Sequence, residues 1–142
     1  MILFQSEFAQ VNELLGLTIK HILRDDNRNE LIFIISDGRA LKMYHEQDCC
    51  ERVWIEDVCG DLNDLIDWPI LTAEEVSDSQ DTEDGSRTYT FYKFATHKGF
   101  VDIRWCGESN GYYSESVNLI WDNPEIYRLR FYDGKKVVHL PA

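Results

Sequence analysis

An α+β fold, mainly antiparallel sheet with one N-terminal helix, is what the sequence predicts, and three observations predict it. Short runs rich in Val, Ile, Thr, Tyr and Phe recur along most of the 142 residues, a composition that favours strands. Asp37-Gly38 and Asp133-Gly134 each lie between such runs, and Asp-Gly is a preferred pair for two-residue hairpin turns. Helical spacing of apolar residues is clear in one place, near the N-terminus. No repeat and no Pro/Ser/Gly-rich linker divides the chain, so residues 1–142 read as one domain.

Ser6 followed by Phe8, Val11, Leu14 and Leu15, and ended by Gly16, reads as an N-capped amphipathic helix with a glycine stop. Residues 17–24 alternate Leu17, Ile19, His21 and Leu23 against Thr18, Lys20, Ile22 and Arg24, as a half-buried strand does. After a polar turn, the β-branched run Leu31–Ile35 reads as a central strand, and residues 39–44 complete a three-stranded meander. Residues 53–60 alternate again. Asp61 before Leu62, Leu65 and Ile66 predicts a short capped helical turn near 61–66, closed by Trp68-Pro69. Residues 70–76 predict a strand. Residues 77–86 contain no apolar side chain and are expected as a mobile acidic loop. Strands over 88–96 and 100–106 pair around Lys98-Gly99, Asn110-Gly111 opens a further hairpin into 112–121, and residues 126–132 and 135–140 flank Asp133-Gly134. The expectation is one main helix and roughly seven to nine strands.

Charge is distributed unevenly. Residues 1–45 hold six acids and five bases, residues 46–86 fourteen acids and one base, Arg52, and residues 87–142 six acids and eight bases. The middle segment therefore carries the whole net charge of −12. Such a field repels phosphate backbones, so direct nucleic-acid binding is not expected, and a partner with a basic surface is. No apolar run approaches the roughly 18 residues that a membrane helix needs. Met1-Ile2-Leu3-Phe4 has no basic region before it, so no secretory signal and no membrane association are expected.

Three sets of residues could carry chemistry. Glu56, Asp57, Asp61 and Asp64 are candidate partner-facing charges. Tyr92, Lys93, Arg104, Trp105 and Tyr112 interleave rings with cations, and could hold a small signalling nucleotide by stacking. His45, Asp48, Cys49 and Cys50 offer metal ligands for a metal-dependent hydrolase, but zinc sites space their cysteines by two to four residues and these two are adjacent. Without a secretory signal the four cysteines are expected as reduced thiols. Phosphate-cradle glycines, the zinc-protease helix signature and the nucleophile elbow are missing from the sequence, so no cofactor is expected.

The stretch His45-Glu-Gln-Asp-Cys-Cys-Glu51, then Val53, Glu56-Asp57, Gly60-Asp61-Leu62 and Asp64-Leu65-Ile66, resembles a small family encoded mainly by tailed bacteriophages and prophages. Thr90-Phe-Tyr-Lys-Phe-Ala-Thr96, Lys98-Gly99, Ile103-Arg104-Trp105 and Gly107-Glu-Ser-Asn-Gly-Tyr-Tyr-Ser114 are similar to the same family. The resemblance covers roughly residues 41–117. It implies a phage accessory protein acting in the host cytoplasm, and supplies no catalytic motif. Together with the acidic middle segment it leads to the expectation of a non-enzymatic protein that binds and antagonises a host factor, a component of host defence.

Overall fold

A computed structural model describes residues 7–130 and 137–140. Among these residues ten strands form two sheets. The strands are β1 (Glu7–Phe8), β2 (Ile19–Asp25), β3 (Leu31–Ile35), β4 (Ala40–Tyr44), β5 (Arg52–Cys59), β6 (Thr72–Thr82), β7 (Gly85–Thr96), β8 (Gly99–Ser109), β9 (Asn118–Asp122) and β10 (Val137–Leu140). The six-stranded sheet runs β1-β9-β4-β3-β2-β10 and the four-stranded sheet β5-β8-β7-β6. Neighbours are antiparallel throughout, except that β10 lies parallel to β2.

The alternation of each strand accounts for the layering. Ile22, Phe33, Leu41 and Trp121 from the larger sheet meet Tyr92, Phe94, Ile103 and Trp105 from the smaller one in a single buried cluster. Phe33 and Phe94 cross edge to face, with ring centroids 5.5 Å apart. The opposite face of the larger sheet buries Leu23, Ile32, Ile34 and Ala40 together with Tyr127. This explains why Leu31–Ile35 is apolar at every position: both of its faces are covered.

The N-terminal helix does not form. Val11–Leu14 is a single 3-10 turn, and Glu7–Phe8 is a short strand paired with Trp121 and Ile120. Val11 and Leu14 are buried, but Phe8 is 85% and Leu15 50% exposed. One turn therefore satisfies the two buried positions, and a helix this short has little stability of its own. Ser6, its expected cap, lies outside the described residues. The fold is accordingly all-β, with two sheets and 3-10 turns, instead of α+β. The turn near 61–66 is the 3-10 segment Leu62–Leu65, whose cap Asp61 accepts the Asn63 N–H.

Residues 77–86 form no loop: they are the far part of the β6–β7 hairpin, paired from Thr72↔Ala95 to Thr82↔Gly85. Backbone pairing, a Ser79–Thr88 hydroxyl contact of 2.7 Å and strand-favouring Thr and Tyr suffice there without an apolar side chain. The C-terminal hairpin expected around Asp133-Gly134 is not found among the described residues: Pro124–Arg130 is a 3-10 segment and β10 pairs with β2. Asp133-Gly134 lies outside the described residues.

Phe33 contacts both sheets with no solvent exposure, so Phe33→Ala should lower stability by about 3–5 kcal/mol. Phe8→Ala, at an exposed edge, should change it by less than about 0.5 kcal/mol. Urea unfolding of both variants checks this, and equal losses would contradict the packing described.

Candidate functional site

The two motif-bearing segments, 45–51 and 107–116, converge at one end of the molecule. Both nitrogens of His45 face acceptors: Nδ1 lies 2.7 Å from the Ser116 carbonyl and Nε2 2.8 Å from Glu51 Oε2. The Glu51 carboxylate also accepts the N–H groups of Asp48 and Cys49, at 2.9 and 2.8 Å. His45 and Glu51 are almost wholly buried side chains. The His45 contact is the largest influence on Glu51, and with the Cys49 and Asp48 N–H groups it outweighs burial, bringing the carboxyl pKa down to about 2. Glu51 therefore organises the loop around itself.

Within that loop Cys49 and Cys50 are joined by a disulfide, and Cys59 and Cys106 are free. This corrects the expectation of four reduced thiols. The segment is a bend, not a strand, so neighbouring side chains are not forced to opposite faces. The candidate metal set is thereby engaged elsewhere: His45 in hydrogen bonds, Cys49 and Cys50 in a covalent bond. Asp48 remains exposed, and among the described residues no group of three or more His, Cys, Asp or Glu is placed to hold a metal ion.

A second carboxylate anchors the other segment. Glu115 is 9% exposed and accepts hydrogen bonds from the hydroxyls of Ser86, Ser109 and Thr88. Burial pulls its pKa upward, but the three hydroxyls together outweigh it and the carboxyl ends below its ordinary value. Gly107 makes this approach feasible: a Cβ there would lie 2.6 Å from the Glu115 carbonyl oxygen.

The four candidate partner-facing acids are split. Glu56, Asp57 and Asp61 line one groove of about 420 Å³, where Arg24 and Arg28 also stand. Glu56 is bound by Arg104 at 2.8 Å, and its carbonyl accepts Arg28 Nη1. Asp64 sits elsewhere, its carboxylate against Gly99 at the β7–β8 turn. Mixed charge of this kind presents no common anionic surface. The nucleotide-stacking set is split as well. Tyr92 and Trp105 are in the core, Lys93 and Arg104 lie on the opposite face of the same sheet, and Tyr112 is 83% exposed in the 110–113 bend. The aromatics of this sheet that do face outward are Trp54, Tyr89 and Phe91, in half-buried positions, and Phe100, which is 78% exposed.

The concentration of unbalanced charge lies on the β6–β7 hairpin. Glu74, Glu75, Asp78, Asp81, Glu83 and Asp84 are all exposed, and none belongs to an ion pair among the described residues. β6 is also an edge strand, paired on one side with β7. The acidity of this stretch was legible in the sequence, but its strand geometry was hidden by the missing apolar residues.

The arrangement is that of a two-sheet protein with a polar, cross-braced apex and an acidic projecting hairpin. A family model described as Domain of unknown function (DUF7448) matches residues 12–119. The chain belongs to that family, and the match spans both convergent segments and the hairpin. No curated protein and no solved structure matches the chain.

Two measurements check the apex. Folding lowers the Glu51 pKa from 4.5 to about 2, so its contribution to stability is complete above the unfolded value and disappears as pH falls through that window. The gap in urea midpoint between the parent chain and Glu51→Gln should be widest near neutral pH and close toward about pH 2; a gap independent of pH contradicts the assignment. Alkylation of the unfolded chain without reductant should modify Cys59 and Cys106 and spare Cys49 and Cys50, whereas labelling of all four rejects the disulfide.

Proposed function

We propose that the chain is a non-catalytic accessory protein that binds and antagonises a host factor, docking a basic segment of its partner along the acidic edge of β6. The observation that carries this reading is the coincidence of six exposed carboxylates with an open strand edge. No backbone hydrogen bond beyond β7 reaches residues 76–82 among the described residues. An open edge supplies main-chain hydrogen bonds to an added strand, and the charges select which strand is accepted. Like charge keeps a second copy of β6 away, so the edge is left to a chain of opposite sign. The phage resemblance of residues 41–117 agrees with action in a host cytoplasm on a defence component. The candidates Glu56, Asp57 and Asp61 line a groove that two arginines share, which supports assigning the docking charges to the hairpin in this reading.

Pull-down from a bacterial host lysate tests it with two variants. Neutralising Glu74, Asp78, Asp81, Glu83 and Asp84 to their amides should abolish capture of the partner, and raised salt should weaken it. Neutralising Glu56, Asp57, Asp61 and Asp64 should leave capture unchanged. A partner held equally by both variants at every salt concentration contradicts the reading.

A further inference from the structure

Between the inward face of the β6–β7 hairpin and residues 114–117 lies a cavity of about 320 Å³. Its wall is unlike the rest of the interior. The inward positions of the four-stranded sheet are apolar at one end, with Ala73, Phe94, Val101 and Ile103. Toward the apex the same face turns to hydroxyls: Ser77 stands opposite Thr90 and Ser79 opposite Thr88. Those four line the cavity with Ser114 and Ser116, and carboxylates stand at its lip, Glu75, and its back, Glu115.

This wall is incomplete as it stands. Glu115 is buried and held as an anion, yet no basic group pairs with it among the described residues. Buried charge without a counter-charge is costly, and hydroxyl donors offset the cost only in part. Glu75 at the lip stands directly across the strand pair from the core residue Tyr92, where burial first and then the Glu75 carboxylate push the hydroxyl pKa up. A complement to this wall must carry positive charge and donate several hydrogen bonds.

We propose that the cavity receives the ammonium of a lysine side chain presented by the strand that docks on β6, a site that rests on the edge-docking reading above for the source of the lysine but not for its chemistry. An ammonium brings three donors without a fixed plane, which suits scattered hydroxyl oxygens and two carboxylates better than the planar fork of a guanidinium. Val117 gives an apolar wall for the methylene stem. A strand added beyond β6 would place alternate side chains on the same sheet face as Glu75 and Ser77, at the mouth of the cavity. A divalent ion fits less well. Glu75 and Glu115 are the cavity's two carboxylates, and a hard cation takes six to eight oxygens, about half of them commonly charged.

The test titrates the full chain with a five-residue extended peptide carrying one central lysine, with its norleucine counterpart, with butylammonium chloride and with calcium chloride, reading backbone amide shifts. The lysine peptide should bind at least about tenfold more tightly than the norleucine peptide. Glu75→Gln, at the exposed lip, should remove that difference, and Thr90→Val should reduce it. Glu115→Gln is expected to disturb folding, since three hydroxyls donate to this carboxylate, so Glu75→Gln and Thr90→Val carry the test. Equal binding of the two peptides would overturn the cavity and leave edge docking standing. If neither peptide binds, edge docking fails; butylammonium shifts at Ser77, Thr90 and Val117 would then still support the cavity, and their absence would overturn it too. Calcium moving those amides when butylammonium does not would also overturn the ammonium assignment.

Discussion

Burial of Tyr92, Phe94, Ile103 and Trp105 between the sheets sets the parity of β7 and β8, and the position of each exposed group in the smaller sheet follows from that parity. With these four turned inward, Phe91, Lys93 and Arg104 must turn outward, and Glu75 and Thr90 must line up on the inner face toward the apex. The inner face is therefore apolar where the larger sheet covers it and hydroxylic where residues 114–117 cover it. Segments far apart in the chain are brought together by this register: Gly107 opposes Val53 and Thr88, and Glu115 closes over both Gly107 and the tip of the hairpin.

Much of the strand pattern was legible because it is local. The meander from Ile19 to Tyr44 needs only alternation and the Asp37-Gly38 turn, and Gly38 does take a positive φ of 94°. The β7–β8 hairpin around Lys98-Gly99 forms for the same reason. The readings that fail are those in which one local signal serves two structures. Val11 and Leu14 are spaced for a helix, but a single 3-10 turn buries both. Residues 77–86 have no apolar side chain, and the outer reach of β6, exposed on both faces, does not require one.

The candidate site was less legible, for a different physical reason. Alternation shows that one face of a strand is buried without showing which, so Tyr92 and Trp105 could be taken for ligand-stacking rings when they are core residues. His45 gains its meaning from the Ser116 carbonyl, 71 positions away, and Glu115 from hydroxyls on two strands. No spacing rule reports such contacts. Several motif residues are thereby accounted for as architecture: Glu51 gathers the 45–51 loop, and Gly107 admits Glu115. The acidic character of the middle segment was read correctly as a total, but the structure divides it. Glu51 is held by hydrogen bonds from within the 45–51 loop, Glu56 pairs with Arg104 and Asp67 with Lys20, and six exposed acids outside any ion pair among the described residues stand together on the hairpin.

The claim on which the account turns is that β6 is an open strand edge that accepts a basic chain. Amide hydrogen exchange along residues 76–82, with and without the lysine-bearing peptide, tests it most directly. In the free chain alternate amides should exchange fast and the intervening ones, bonded to β7, slowly; the peptide should slow the fast set alone. Uniformly fast exchange in the free chain, or peptide protection appearing elsewhere in the molecule, would contradict the account.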